Sequence, residues 1–196
     1  MQKTLILMLK EPRAGRVKTR LGRDIGMTAA AWWFRHQSAR LIRVLHRDRR
    51  WHTIAAVSPD HAIISRAWGS ELTRIPQGQG NLGDRMRRFF QTLPPGPVLI
   101  VGGDIPGITP AHIQSGFTAL GSHDAVFGPA PDGGYWLIGL KRGSRPVPNG
   151  LFKDVRWSSE HALDDTIKSL DPGMKVAKIA TLQDVDTVDD LALTRC

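Results

Sequence analysis

The feature that most constrains the fold of this sequence is a regular alternation of short apolar runs with longer, periodic ones. Short runs of aliphatic and β-branched residues predict strands, at Thr4 to Leu9, His52 to Val57, Glu71 to Ile75, Val98 to Val101, Ala125 to Phe127, Tyr135 to Leu140 and Lys175 to Ile179. Periodic runs between most of them predict helices, at Thr28 to Arg47, Asp60 to Ala67, Leu82 to Thr92, Pro110 to Leu120, Ser159 to Leu170 and Val188 to Leu193. Repeated strand, loop and helix units predict an α/β fold whose mainly parallel sheet is covered on both faces.

Local signals support some of these boundaries. Thr109 followed by Pro110 is typical of a helix start, because a threonine cap precedes a proline at the first helical position. Asp60 is expected to cap its helix in the same way. The segment Arg142 to Gly150, rich in Gly and Pro, is expected to be an exposed connection.

Length and composition predict one domain, over residues 1–196. The chain has 196 residues, of which 41% are hydrophobic, enough for one sizeable core. Cys196 is the only cysteine, so no disulfide within the chain is expected. The N-terminal apolar run is too short to span a bilayer. A cytoplasmic location without a membrane span is therefore the expectation.

The positive charge is concentrated near the N-terminus. Residues 1–50 contain thirteen Lys or Arg and three acidic residues, a net +10, whereas the whole chain carries +9, so the remainder carries about −1. The basic residues of the predicted helix Thr28 to Arg47 are interpreted mainly as a solvated face. A nucleic-acid-binding or nucleotide-binding module without catalysis stays open as an alternative, with nucleic acid the less favoured partner.

In a parallel sheet, ligands gather beyond the carboxyl ends of the strands. The segment Glu11 to Gly22, EPRAGRVKTRLG, follows the first strand and brings cations and a glycine together, as polyphosphate binding requires. Its candidate phosphate-binding residues are Arg13, Gly15, Arg16, Lys18 and Arg20. It has neither a Walker A ending nor a Gly-x-Gly-x-x-Gly motif. A basic surface loop is the alternative interpretation.

Acidic residues at strand ends are candidates for catalysis and metal binding. Asp104 ends a strand in VGGDIPGIT, where a carboxylate could hold Mg²⁺ or Mn²⁺ bridging two phosphates, or could simply stabilise a turn. Asp132 in GPAPDGGYWLIGL precedes a strand, where Asp-Gly could form a hairpin turn or approach a sugar, and where Tyr135 or Trp136 could stack on a ring. Asp186 in DVDTVDDL offers a further carboxylate, although Asp186 and Thr187 could equally cap a helix.

A glycine-rich segment, QGQGNLGDRM from Gln77 to Met86, precedes another predicted helix. Gly80 and Arg85 are candidates there for amide and guanidinium contacts to a nucleotide donor.

Six segments, in order, resemble a bacterial family, DUF2064, described as glycosyltransferase-A-like and related to nucleotidyltransferases. They are KEPRAGRVKTRLG, QGQGNLGDRM, GGDIPGIT, GPAPDGGYWLIGL, LFKDVRWSS and DVDTVDDL. The resemblance implies a nucleotide-diphospho-sugar transferase fold, a three-layer sandwich with a mostly parallel sheet and one antiparallel strand at Tyr135 to Leu140. The chain departs from the family at Gly103 and Ile105, where members often have hydroxyl or thiol side chains.

The resemblance also implies roles for particular residues. Lys18 and Arg20 face the nucleotide phosphates, Asp104 matches the metal-binding Asp of the superfamily, and Asp186 matches a second metal ligand. Asp132 matches the acidic residue of the family's Asp-Gly-Gly-Tyr segment.

The leading hypothesis is a transferase that moves a sugar from a nucleoside diphosphate sugar to a small-molecule acceptor, with Mg²⁺ or Mn²⁺ at Asp104. Asp132 is the candidate general base if the reaction inverts. The enzymatic alternative is nucleotidyl transfer with release of pyrophosphate. The donor, the acceptor and the oligomeric state are not predicted by the sequence.

Overall fold

A computed structural model describes residues 1–69, 71–143 and 146–193, with fourteen elements of secondary structure in that part of the chain. The strands are β1 (Thr4–Lys10), β2 (His52–Ser58), β3 (Thr73–Pro76), β4 (Val98–Gly102), β5 (Ala125–Pro129), β6 (Tyr135–Leu140) and β7 (Val176–Lys178). The helices are α1 (Thr19–Ile25), α2 (Met27–His46), a 3₁₀ helix (Asp60–Ile64), α3 (Leu82–Thr92), α4 (Pro110–Ala119), α5 (Ala162–Lys168) and α6 (Val188–Leu193). Two expectations fall partly outside the described residues. One concerns Cys196 and the absence of a disulfide, and the other concerns residues 144 and 145 of the expected connection.

All seven strands form one sheet, in the order β3-β2-β1-β4-β6-β5-β7. Neighbours pair in parallel except at β6, which runs antiparallel to both β4 and β5. The expected mostly parallel sheet with one antiparallel strand, in a three-layer α/β sandwich, is therefore confirmed. In the part of the chain that the structure describes, no helix is long and apolar enough to cross a membrane.

Side chains that alternate along β1 divide the core between the two faces of the sheet. Leu5, Leu7 and Leu9 pack into a cluster with α2 and α4, whereas Ile6 packs on the opposite face with α3 and α5. A strand buried on both faces reads as a continuous apolar run, which is why β1 was recognisable in the sequence.

A third, smaller cluster fixes the segment before α6 to the N-terminal helices. Val185 is fully buried against Leu21 of α1, Ala30 of α2 and Leu191 of α6. Because neighbouring side chains in an extended segment point to opposite sides, burial of Val185 leaves the residues on either side of it free to face the carboxyl edge of the sheet.

Three local expectations need correction. Asp60 does not cap its helix through its side chain; Pro59 occupies the cap position, and the Asp60 carboxylate accepts a hydrogen bond from the Gly78 N–H (2.9 Å). The helix expected at Asp60 to Ala67 is a short 3₁₀ helix. The segment between β1 and Thr28, where no helix was predicted, contains α1. By contrast, Thr109 does cap α4, in a capping box with His112.

Gly133 joins the turn after β5 to the segment before α5. It has φ +82°, and a Cβ there would lie 2.1 Å from the carbonyl oxygen of Glu160. Its own carbonyl accepts a hydrogen bond from the Leu163 N–H (3.0 Å). The close approach of two backbones at this point requires glycine.

Replacing Gly133 by alanine is expected to destabilise the protein by roughly 2–4 kcal/mol, because left-handed strain adds to a collision with backbone that cannot move cheaply. Gly173 is the matched control, since its φ is +79° and nothing lies within 4 Å of a Cβ. Gly173→Ala should cost only about 1 kcal/mol. Urea denaturation of the two variants measures the difference, and equal losses would refute the packing explanation.

Candidate active site

Two adjoining cavities open at the carboxyl edge of the sheet. The larger, of about 540 Å³, is lined by Met8, Lys10, Val17, Lys18, Thr19, Arg20, Phe34, Gln77, Gly80, Asn81, Leu82, Arg85, Gly102, Gly103, Asp104 and Asp186. The smaller, of about 200 Å³, is lined by Leu82, Gly102, Asp104, Ile105, Ala130, Asp132, Gly134, Tyr135, Trp136, Trp157, Ser158, Ser159, Ala162 and Asp184. Asp104 belongs to both walls, so a molecule in either cavity could reach it.

Three carboxylates meet where the cavities adjoin. One oxygen atom from each of Asp104, Asp184 and Asp186 lies within 4.8 Å of the other two. Asp104 is the second residue after β4, and the other two carboxylates flank the buried Val185. Gly103 is needed beside Asp104, because a Cβ there would lie 2.5 Å from a methyl group of Leu9.

The ammonium group of Lys18 lies among these carboxylates. Its Nζ atom is 2.6 Å from Asp104 Oδ2, 2.7 Å from Asp186 Oδ1 and 3.7 Å from Asp184 Oδ2. Only 6% of the Lys18 side chain is exposed. Asp104 thus contacts Lys18, a role different from stabilising its own turn.

The backbone holds Lys18 in a strained conformation. Its φ of 45° lies in the left-handed region, which costs a residue with a Cβ about 1–2 kcal/mol. The buried residues Val17 and Leu21 anchor the chain on either side. Strain of this kind persists only where the surrounding packing determines it, and it is frequent at functional sites.

The electrostatic environment keeps Lys18 charged. Burial by itself lowers the pKa of Lys18, but the charges and hydrogen bonds of Asp104 and then Asp186 outweigh it, so the pKa is raised above its ordinary value. Burial also raises the pKa of Asp184, to about 6. Lys18 opposes that rise, whereas the negative charges of the neighbouring carboxylates add to it.

The donor set fits a divalent cation. Three carboxylates share one buried ammonium, and the only further ion pair to the cluster in the described residues is from Arg20 to Asp186 (3.3 Å), whose Arg20 side chain is 68% exposed. The cluster therefore retains negative charge that Lys18 alone does not neutralise. Carboxylate oxygens are the preferred ligands of Mg²⁺, and they also suit Mn²⁺.

The candidate phosphate-binding residues separate into two groups. Four of them line the larger cavity: Lys18, Arg20, Gly80 and Arg85. The other three, Arg13, Gly15 and Arg16, are exposed and do not line it. Arg13 pairs with Glu11 instead (2.6 Å). Gly15 has φ +72° and open space around it, so the turn itself, and not a close backbone contact, requires glycine there.

The position of Arg85 depends on a residue that sequence reasoning missed. Its Nε donates to the Gly80 carbonyl (3.0 Å) and its guanidinium to Gln77 Oε1 (3.4 Å). Gln77 is buried and its amide nitrogen donates to the carbonyls of Leu9 and Ala56. Gln77 thereby ties three strand ends to the cavity wall. A buried glutamine was not detectable from the glycine-rich pattern around it.

Asp132 lies in the wall of the smaller cavity and also shapes its own turn. One of its carboxylate oxygens accepts the Gly134 N–H (2.9 Å), so the turn role considered from the sequence is present. Trp136 is not available to stack on a ligand ring, since it is 3% exposed and its Nε1 donates to the Ala180 carbonyl (2.9 Å). Tyr135 packs edge-on against Phe127.

Of the two residues expected to cap α6, Thr187 does so, together with Asp190, and Asp186 does not. Asp190 accepts hydrogen bonds from the N–H groups of Asp186 (3.0 Å) and Thr187 (2.8 Å), and Thr187 Oγ1 accepts from the Asp190 N–H (3.3 Å). The carboxylate of Asp186 is left to contact Lys18. Asp184 was not singled out from the sequence, although the Asp-Val-Asp pattern around a buried valine is a usable signal.

Residues 41–159 match a family described as "Uncharacterized protein conserved in bacteria (DUF2064)". The chain belongs to this family. The match covers more than half of the chain, and the expected membership of DUF2064 is confirmed. No curated protein matches the sequence.

Several solved structures are similar to this chain. A protein from Desulfovibrio desulfuricans G20, provisionally named a nucleotide-diphospho-sugar transferase, is 28% identical with a TM-score of 0.83, over 98% of this chain and 86% of that one. The manganese complex of Rv0371c from Mycobacterium tuberculosis H37Rv is 18% identical, with a TM-score of 0.56, over 99% and 97%. The 4-diphosphocytidyl-2C-methyl-D-erythritol synthase of Anaerococcus prevotii DSM 20548 is 11% identical, with a TM-score of 0.57, over 98% and 96%. The latter two likenesses show the fold alone.

Removing the Lys18 charge is expected to destabilise the protein. Lys18→Met leaves the three carboxylates without their buried counter-charge, at an expected cost of about 2 kcal/mol, below the ~3–5 kcal/mol of fully buried pairs because the carboxylates are partly exposed. The control Lys153→Met removes an exposed lysine outside the cluster and should change little. Urea denaturation at neutral pH in a chelator measures both, and an unchanged midpoint for Lys18→Met would contradict this assignment.

Proposed function

We propose that this protein is a metal-dependent glycosyltransferase that uses a nucleoside diphosphate sugar. The observation that carries the proposal is the meeting of a cation-lined cavity and a second, carboxylate-lined cavity at Asp104. A transferase needs adjoining sites for donor and acceptor, with charge stabilisation where the bond breaks. The likeness to the D. desulfuricans protein supports a transferase.

The larger cavity is the proposed donor site. Its volume of about 540 Å³ is in the range of small-molecule sites. Lys18, Arg20 and Arg85 line it and would neutralise a diphosphate, while the start of α3 at Leu82 favours anions. We propose no phosphate contact for Arg13, Gly15 and Arg16.

Asp104 and Asp186 are the proposed metal ligands, with Asp184 as a third. A divalent cation there would neutralise charge that develops on the departing diphosphate. The manganese complex of Rv0371c supports a divalent metal in this fold, without deciding between Mg²⁺ and Mn²⁺. The carboxylates must then exchange part of their contact with Lys18, which frees the ammonium to face the donor phosphates.

The proposed reaction is a substitution at the anomeric carbon of the donor sugar. The oxygen of an acceptor hydroxyl attacks the anomeric carbon of the donor sugar, and the bond from that carbon to the β-phosphate oxygen breaks with its electron pair on the diphosphate. The acceptor proton goes to a base in an inverting reaction, for which we propose Asp132. The second oxygen of Asp132 is the candidate acceptor for this proton, since the first is bonded to the Gly134 N–H.

Nucleotidyl transfer is the second candidate, supported by the fold of the A. prevotii synthase. In that reaction an acceptor phosphate attacks the α-phosphorus of a triphosphate and pyrophosphate leaves. The acceptor phosphate would have to enter a cavity lined by carboxylates, which disfavours it. A nucleic-acid partner is less favoured still, because Arg13, Lys18 and Arg50 of the basic N-terminal segment already pair with acidic residues of this chain.

Turnover of labelled donors tests the proposal. Hydrolysis or transfer from a panel of nucleoside diphosphate sugars should require Mg²⁺ or Mn²⁺ and should release a nucleoside diphosphate and no pyrophosphate. Asp104→Asn should lower the rate by roughly 100-fold or more, because it removes charge stabilisation from the breaking bond. Asp189→Asn, an exposed acid in α6 outside the cluster, is the control and should be unaffected. Metal-independent turnover would overturn the proposed metal dependence, and pyrophosphate release from nucleoside triphosphates would overturn glycosyl transfer.

A further inference from the structure

The smaller cavity has an unusual charge distribution for a site beside a phosphate-binding cleft. Among the described residues, its lining contains three carboxylates and not one lysine, arginine or histidine. The carboxylates are Asp104, Asp132 and Asp184. An anion entering this cavity would meet three like charges, of which those of Asp104 and Asp184 are partly buried and that of Asp132 is exposed.

The two cations considered near this cavity, Arg156 and Lys18, already form ion pairs within the chain. Arg156, which precedes the wall residues 157–159, donates two hydrogen bonds to the Asp165 carboxylate (2.8 and 2.9 Å). Lys18 lines the larger cavity, and its ammonium lies 2.6 Å from Asp104 and 3.7 Å from Asp184. Neither side chain can neutralise an anion in the smaller cavity without breaking its present ion pairs.

Trp157 supplies an aromatic surface to the same cavity. Its indole is half-buried and braced by Phe152, with ring centroids 5.8 Å apart, and by Gly83, where a Cβ would lie 2.9 Å from the ring. A fixed, partly exposed indole suits the apolar face of a sugar ring, since Trp buries large area at little entropic cost.

Ser158 also lines this wall, with a strained backbone and a hydroxyl that has no hydrogen-bond partner among the described residues. Its φ of 58° lies in the left-handed region. In contrast, the hydroxyl of Ser159 already donates to the Arg156 carbonyl (2.7 Å). Left-handed backbone strain of this kind is frequent at functional sites. The Ser158 hydroxyl can pair with a ligand hydroxyl as donor or acceptor.

We propose that the smaller cavity binds an uncharged, monosaccharide-sized polyhydroxyl acceptor against Trp157 and discriminates against phosphorylated acceptors. The volume of about 200 Å³ is below the range typical of larger ligands, which limits the bound part to roughly one ring. Of the three carboxylates, Asp132 is not a proposed metal ligand, and it accepts hydrogen bonds from acceptor hydroxyls and repels a phosphate. This inference rests on the proposed glycosyl transfer and names the acceptor class of that same site.

Ligand-observed NMR with the full chain tests the acceptor class. The probes are the methyl pyranosides of glucose, mannose and galactose, compared with the 6-phosphates of the same sugars, in the presence of Mg²⁺ and a nucleoside diphosphate. At least one neutral glycoside should bind, and each 6-phosphate should bind at least about tenfold more weakly than its neutral counterpart. Trp157→Ala should weaken glycoside binding by about tenfold, as loss of a stacking partner predicts.

Two variants separate recognition from misfolding. Trp157→Phe keeps an aromatic surface and should retain most of the binding, whereas Trp32→Ala removes an exposed tryptophan of α2 outside the cavity and should leave it unchanged. Preferred binding of the 6-phosphates, no binding of any neutral glycoside, or binding indifferent to Trp157 would each overturn the inference. Thermal shift by nucleoside diphosphate and Mn²⁺ reports the donor site separately. A normal shift combined with 6-phosphate preference refutes the acceptor class alone, whereas an absent shift counts against the proposed function.

Discussion

The contact of the Lys18 ammonium with Asp104 and Asp186 is the interaction on which the geometry of this site depends. It joins the start of α1, the end of the central strand β4 and the segment before α6, three parts of the chain far apart in sequence. The ammonium is nearly buried and its backbone is strained, so the surrounding packing must hold it in place. The same contact neutralises part of a carboxylate cluster that would otherwise repel itself.

This arrangement also separates charge across a short distance. The cations Arg20 and Arg85 line one cavity, and the carboxylates Asp132 and Asp184 line the other, with Asp104 in both walls. Such a division suits a reaction in which an anionic group leaves to one side while a hydroxyl attacks from the other. The fold places these residues at the carboxyl edge of the sheet, and their charges determine which reaction the site can support.

Strand positions could be predicted from the sequence, because buried strands such as β1 and β4 are continuous apolar runs. Helix α1 could not, since its seven residues include three charges and a glycine, and its stability comes from burying Leu21 against Val185. Lys18 and Arg13 belong to the same basic segment. The sequence therefore could not show that Lys18 lines the site whereas Arg13 pairs with Glu11. The acidic partner Asp184 became apparent only once the burial of Val185 was known.

Anomalous X-ray scattering can show whether Lys18 shares its carboxylates with a divalent cation beside a nucleoside diphosphate. Crystals would be soaked with Mn²⁺ and a nucleoside diphosphate and measured at the manganese edge. We expect a manganese peak coordinated by Asp104 and Asp186. The diphosphate should lie in the larger cavity, with the Lys18 ammonium turned toward the diphosphate. Manganese bound elsewhere, with Lys18 still bridging Asp104 and Asp186, would contradict this expectation.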